Sequence, residues 1–138
     1  MKPQIIEGNI HSDQRGDLRY NNAFDATEVK RIYIIENKDT SLIRGWQGHK
    51  IEQRWFSALA GNFEIKLIKI DDWQNPSQEL KPYVFLLDSN NLKVLHIPAG
   101  YVSSIKALDD NSKLLVMADY KIGEIQDEYR YDINHFKN

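Results

Sequence analysis

Apolar and polar residues alternate in short runs along most of the chain, and the runs are rich in β-branched and aromatic side chains. Residues 29–35, 63–67, 83–87, 93–97 and 113–119 read as strands on this pattern, and Gln4-Ile5-Ile6 as an N-terminal one. Polar turn clusters separate them at residues 36–39, 88–91 and 109–112. Gly61-Asn62 predicts a hairpin, and Ile97-Pro98-Ala99-Gly100-Tyr101 a Pro-x-Gly turn between two further strands. The apolar parity shifts between Leu67 and Ile68, which marks a bulge or the end of one strand pairing. Residues 73–82, with Pro76 and Pro82, predict a long surface loop. A polar stretch over residues 123–131 predicts a short helical C-terminal segment. Many short strands with regular turns predict one all-β domain over residues 1–138, a sandwich or barrel.

Composition narrows the function classes. At 138 residues the chain is long enough for a hydrophobic core. The 18 basic and 20 acidic residues are interspersed, so nothing marks a nucleic-acid or membrane-surface binder. No apolar run nears the ~18 residues of a membrane span, and Met1-Lys2-Pro3-Gln4 does not begin a secretory signal. The absence of cysteine excludes disulfides, thiolate metal sites and cysteine nucleophiles. A cytosolic protein is expected.

Candidate chemistry concentrates in Arg44-Gly45-Trp46-Gln47-Gly48-His49-Lys50. On a strand, Gln47 and His49 share a face, and Gly45 leaves that face uncrowded. Strict alternation puts Arg44 on the opposite face unless Gly45 distorts the strand. Arg31 and Tyr33 share a parity on their own strand. His49 is the titratable group suited to proton transfer near neutral pH. His49, Glu52 and a neutral amide make a poor donor set for Zn²⁺ or Fe²⁺, which want three or more good ligands. His96 reads as a packed structural histidine; His11 and His135 read as solvated. Trp46, Trp55 and Phe56 read as core or interface packing, or as a wall for a nucleobase.

The two segments, Arg44 to Lys50 and Ile97 to Tyr101, resemble the signature stretches of a cupin, the double-stranded β-helix or jelly-roll barrel. Within cupins the chain resembles the dTDP-sugar 3,4-ketoisomerases, relatives of the dTDP-4-dehydrorhamnose 3,5-epimerases. Four segments carry the likeness: Asp13-Gln14-Arg15-Gly16-Asp17-Leu18, Lys30-Arg31-Ile32-Tyr33, Arg44 to Lys50, and Met117-Ala118-Asp119-Tyr120. Two positions depart from the histidine pattern of cupins. Gln47 stands where the first histidine of a His-x-His pair is expected, and Ser103 where a late histidine follows the Pro-x-Gly turn.

The resemblance implies a metal-independent isomerase, with no cofactor, acting on a dTDP-linked 4-keto-6-deoxyhexose. A homodimer is expected because the N-terminal strand Gln4-Ile5-Ile6 and the apolar-aromatic barrel edges need covering. The resemblance assigns proton transfer to His49, assisted by Tyr33. Arg44, Arg31 and Arg15 would bind phosphate or nucleotide, and Gln47 the sugar. Gln53 and Arg54 would add polar contacts at the rim. An amide is no base at neutral pH, so Gln47 argues against 3,5-epimerisation by the first-histidine route. A 3,5-epimerase with another base and a non-catalytic sugar-nucleotide or carbohydrate-binding module are the alternatives.

Overall fold

The computed structural model describes residues 1–137. Twelve strands follow one another: β1 (Gln4–Ile6), β2 (Asn9–Asp13), β3 (Gly16–Tyr20), β4 (Arg31–Ile35), β5 (Ile43–His49) and β6 (Arg54–Ala60), then β7 (Asn62–Lys69), β8 (Tyr83–Asp88), β9 (Val94–Ile97), β10 (Tyr101–Ala107), β11 (Lys113–Ala118) and β12 (Tyr129–Arg130). They form two five-stranded antiparallel sheets, β1-β9-β6-β11-β4 and β12-β5-β10-β7-β8, with β2 and β3 paired apart as a hairpin. The sheets pack face to face as a jelly-roll barrel.

Strand alternation builds the core directly. Phe63, Ile65 and Leu67 of β7 turn inward with Tyr101, Ile105 and Ala107 of β10. Phe56 and Ala58 of β6, Leu95 and Ile97 of β9, and Leu114 and Val116 of β11 meet them from the other sheet. Each fully buried large apolar side chain contributes about 1.5–3 kcal/mol. A second cluster lies on the outer face of the β5-containing sheet, where Trp46, Ile68, Ile70 and Val102 pack under Phe136 and Tyr131. A third covers Trp55, Val94 and Met117 with Phe24 and Val29.

These outer clusters explain the parity shift in β7. Leu67 belongs to the inner core and Ile68 to the outer cluster, because both faces of the strand are covered there. The pairing with β10 runs without a break from Phe63 to Lys69, whereas the pairing with β8 ends at Leu67. The shift therefore marks the end of one pairing, not a bulge.

Three expectations change. Gly61, at φ 71, is not a hairpin turn within one sheet; it carries the chain across from β6 in the first sheet to β7 in the second, whereas the Pro-x-Gly turn falls where expected, between β9 and β10, with Gly100 at φ 99. The C-terminal segment is not helical: residues 121–128 are turns and irregular chain, and Tyr129–Arg130 add a strand to β5. The free edge of β5 offers backbone partners that a polar, weakly periodic segment meets as a strand more readily than as an unpacked helix. Trp46, Trp55 and Phe56 fall into three separate clusters, so they form no common wall. Among the described residues no helix is long and apolar enough to cross a membrane.

Candidate active site

Strand β5 sets the site. Tyr101 of β10 pairs with His49 and Ser103 with Gln47, so both β5 side chains face inward with the barrel core. Between them Gly48 faces outward against β10, where a Cβ would lie 2.1 Å from the Tyr101 carbonyl oxygen. No other residue type fits without moving the strand. Further down, three steps on β5 from Gln47 to Arg44 oppose two on β10 from Ser103 to Ile105. Gly45 and Trp46 thus share one partner position, and the bulge returns Arg44 to the inward parity.

A small cavity of about 50 Å³ opens between Tyr33, Gln47, His49, Arg54, Phe56 and Ser103 at the barrel mouth. A larger cleft of about 610 Å³ continues outward past Arg31, Glu52, Asp127 and Tyr129. His49 and Arg54 line both. They stand where the interior meets the surface.

Five of the sequence-predicted residues meet here: His49, Tyr33, Gln47, Arg31 and Arg54. The Arg54 guanidinium donates to the Tyr33 hydroxyl at 3.1 Å, and Arg31 stacks 4.6 Å from the centre of the Tyr33 ring. Gln47 donates its amide to the Glu128 carboxylate. The other three lie elsewhere. Arg44 sits roughly 15 Å along β5 from His49 at the usual strand rise, bonded to Asn37 in a separate cleft. Arg15 occupies the tip of the β2–β3 hairpin, 2.8 Å from Asp13 and exposed. Gln53 donates to Asp119 and contacts His96 at 2.7 Å, on a side chain already fully engaged. His96 is the packed histidine expected, stacked on Trp55. His135 is not solvated; its ring contacts the Pro76 carbonyl at 2.8 Å and packs on Phe136.

The surroundings of His49 define its chemistry. Nδ1 lies 2.9 Å from the Asp127 carbonyl oxygen, which can only accept, so Nδ1 carries the hydrogen and Nε2 keeps the basic lone pair. Burial, and then the neighbouring Arg54 charge, hold the imidazole below its ordinary range despite the opposing pull of Asp127 and Glu128. The ring is therefore neutral at pH 7. Glu52 lies 3.3 Å from the same Nδ1, and burial pushes its carboxyl up against the opposing effect of Arg54. Both partners are biased toward their neutral forms, so this contact acts as a polar neighbour more than as an ion pair.

Arg54 is the residue whose importance the sequence understated. Its side chain is 9% exposed; one terminal nitrogen donates to Tyr33 and the other lies 3.4 Å from Glu52. Its Nε–H is buried with no hydrogen-bond partner among the described residues. Such a donor is rare in folded proteins and calls for a ligand or a function. The alternation of β6 gave a signal: Arg54 shares parity with the core residues Phe56 and Ala58, an odd place for a cation. Glu52 and Asp127 also come close to His49, with ligand atoms of the three within 4.8 Å of one another. Both Asp127 oxygens already accept backbone N–H groups, one at Oδ1 and two at Oδ2.

Comparisons with known proteins agree with this architecture. The sequence model of the family described as FdtA, WxcM-like, C-terminal, matches residues 1–138. No curated protein matches. Among solved structures, a mutant of the 3,4-ketoisomerase QdtA from Thermoanaerobacterium thermosaccharolyticum, in complex with TDP-4-keto-6-deoxyglucose, is 22% identical with a TM-score of 0.73, over 94% of this chain and 88% of that one. The TDP-quinovose 3,4-ketoisomerase WlaRB from Campylobacter jejuni is 21% identical with a TM-score of 0.70, over 99% and 98%. The rmlC epimerase of Mycobacterium tuberculosis is 15% identical with a TM-score of 0.72, over 93% and 68%. The shared feature at these identities is the barrel.

Proposed function

We propose that this chain, which belongs to the WxcM-like C-terminal (FdtA) family, is a cytosolic sugar-nucleotide isomerase that moves the ketone of a dTDP-4-keto-6-deoxyhexose from C4 to C3. The observation that carries the reading is His49 itself: neutral, tautomer fixed through Nδ1, and set on the wall shared by the barrel cavity and the outer cleft. The similarity to solved 3,4-ketoisomerases supports it.

In this mechanism Nε2 of His49 takes the proton from C3. The C–H electrons form a C3–C4 double bond, and the former carbonyl oxygen at C4 takes up the charge and a proton. His49 returns its proton to C4 while the C3 hydroxyl loses its own and becomes the ketone. The Tyr33 hydroxyl, able to donate and accept, suits the transfer between the two oxygens. The unpartnered Nε–H of Arg54 supplies the fixed positive charge that the enediolate needs. The proton shuttle uses side chains only, with no metal in any step. Arg31, which lines the outer cleft, is the guanidinium assigned to the nucleotide diphosphate in this reading.

The reaction is tested by incubating the protein with dTDP-4-keto-6-deoxyglucose in deuterated water and following the sugar by NMR. A 3-keto product with deuterium at the carbon beside the ketone is expected. Exchange at C5 would mark a 3,5-epimerase, and tight dTDP binding without exchange a binding module. The active form is a homodimer closed over edge strand β4, where Ile32 and Ile34 are 66% and 53% exposed. Light scattering at micromolar concentration should give the mass of two chains; the mass of one would refute this.

A further inference from the structure

Asp127 is buried, at 4% exposure, and no basic side chain pairs with it among the described residues. Its carboxylate is satisfied by backbone alone. Oδ1 accepts from Lys50 N at 3.0 Å, and Oδ2 accepts from Ile51 N and Glu52 N, both at 2.8 Å. Three consecutive amides form a cradle that favours a negative charge. The same residue's carbonyl holds Nδ1 of His49 at 2.9 Å. One residue, 78 positions away, thus grips the turn that leaves β5 and the ring that ends it.

We infer that Asp127 is a positioning residue for the isomerase, locking the turn at residues 50–52 and presenting the ring of His49 as the Nδ1–H tautomer with Nε2 as the base. The inference rests on the function proposed above for His49. The physical reason is geometric. The 50–52 turn connects β5 to β6, so it sets the relative placement of His49 and Arg54, which stand on opposite sheets. An anchored turn keeps base and cation in register; a loose one lets the ring rotate and exchange its hydrogen between the two nitrogens. Neighbouring β12 closes the arrangement, pairing Tyr129 with Gly48 and Arg130 with Gln47. A misplacement of ~1 Å at such a site costs about 10²-fold in rate.

The test is ¹⁵N NMR of the histidine rings in the full chain, joined to kinetics of two variants. In the unaltered protein His49 should give the Nδ1–H pattern; an Nε2–H pattern would overturn the inference without any variant. Asp127→Ala should shift the ring toward Nε2–H or averaged signals and lower kcat about 10²-fold, with KM changing less. Asp127→Asn keeps one acceptor oxygen and should fall between. If Asp127→Ala does not fold, the Asn variant carries the same comparison. Variants that keep both the Nδ1–H signal and kcat would refute the role. A protein with the expected tautomer but no isomerase activity would refute the proposed reaction and leave the grip on His49 standing.

Discussion

Replacing His49 with asparagine is expected to lower isomerase turnover by about 10²–10⁴-fold, the usual loss when a placed base is removed. Asparagine retains a polar side chain of similar reach and loses the titratable nitrogen. Cavity shape and the outer cleft should survive, because His49 contributes no packing to the apolar core. Binding of dTDP should therefore change little. Calorimetry with dTDP beside the deuterium-exchange assay separates the two effects. Equal loss of binding and turnover would mean that His49 holds the fold of the site and not the proton. Unchanged turnover would remove His49 from the mechanism.

Removing the charge of Arg54 is the second large effect. Arg54→Met should reduce turnover by about 10²–10³-fold, the range for loss of one donor to a developing oxyanion. It also predicts a pH effect of definite sign. In the proposed mechanism the base works in its neutral form, so activity is expected to fall as pH drops through the His49 pKa. Burial and Arg54, in that order, hold this value below the ordinary 6.5. Taking Arg54 away removes the second cause, so the acid limb of the pH–rate profile should move to higher pH. Arg54→Gln, which keeps a polar donor and loses the charge, should show the same movement. A limb that stays in place, or moves down, would show that Arg54 does not act on His49.

Much of the barrel was legible along the chain because a strand's period of two is a local property. The alternation in residues 63–67, 83–87 and 113–119 places strands β7, β8 and β11. The same rule puts Gln47 and His49 on one face, and their inward direction follows once Tyr101 and Ser103 pair with them. The family likeness rested on ordered short segments, and the match over residues 1–138 agrees with it. Local pattern failed where both faces of a strand are covered, as at Leu67 and Ile68. It failed again for the C-terminal segment, whose strand state depends on the free edge of β5.

The site divides along the same line. The sequence by itself determined which residue types could move a proton or bind an anion, and which of them share a strand face. Only the tertiary structure decided which come together. A bulge opposite Ser104 restores the parity of Arg44, yet distance along β5 leaves it with Asn37. Arg15 stays on a hairpin outside both sheets, and Gln53 turns to Asp119 and His96. Arg54 and Asp127 gain their importance from contacts with Tyr33 and with the turn at residues 50–52, made across 21 and about 75 residues of chain. Spacing along a strand fixes direction; the approach of distant segments is fixed by how two sheets close over a shared core, and no local period encodes that.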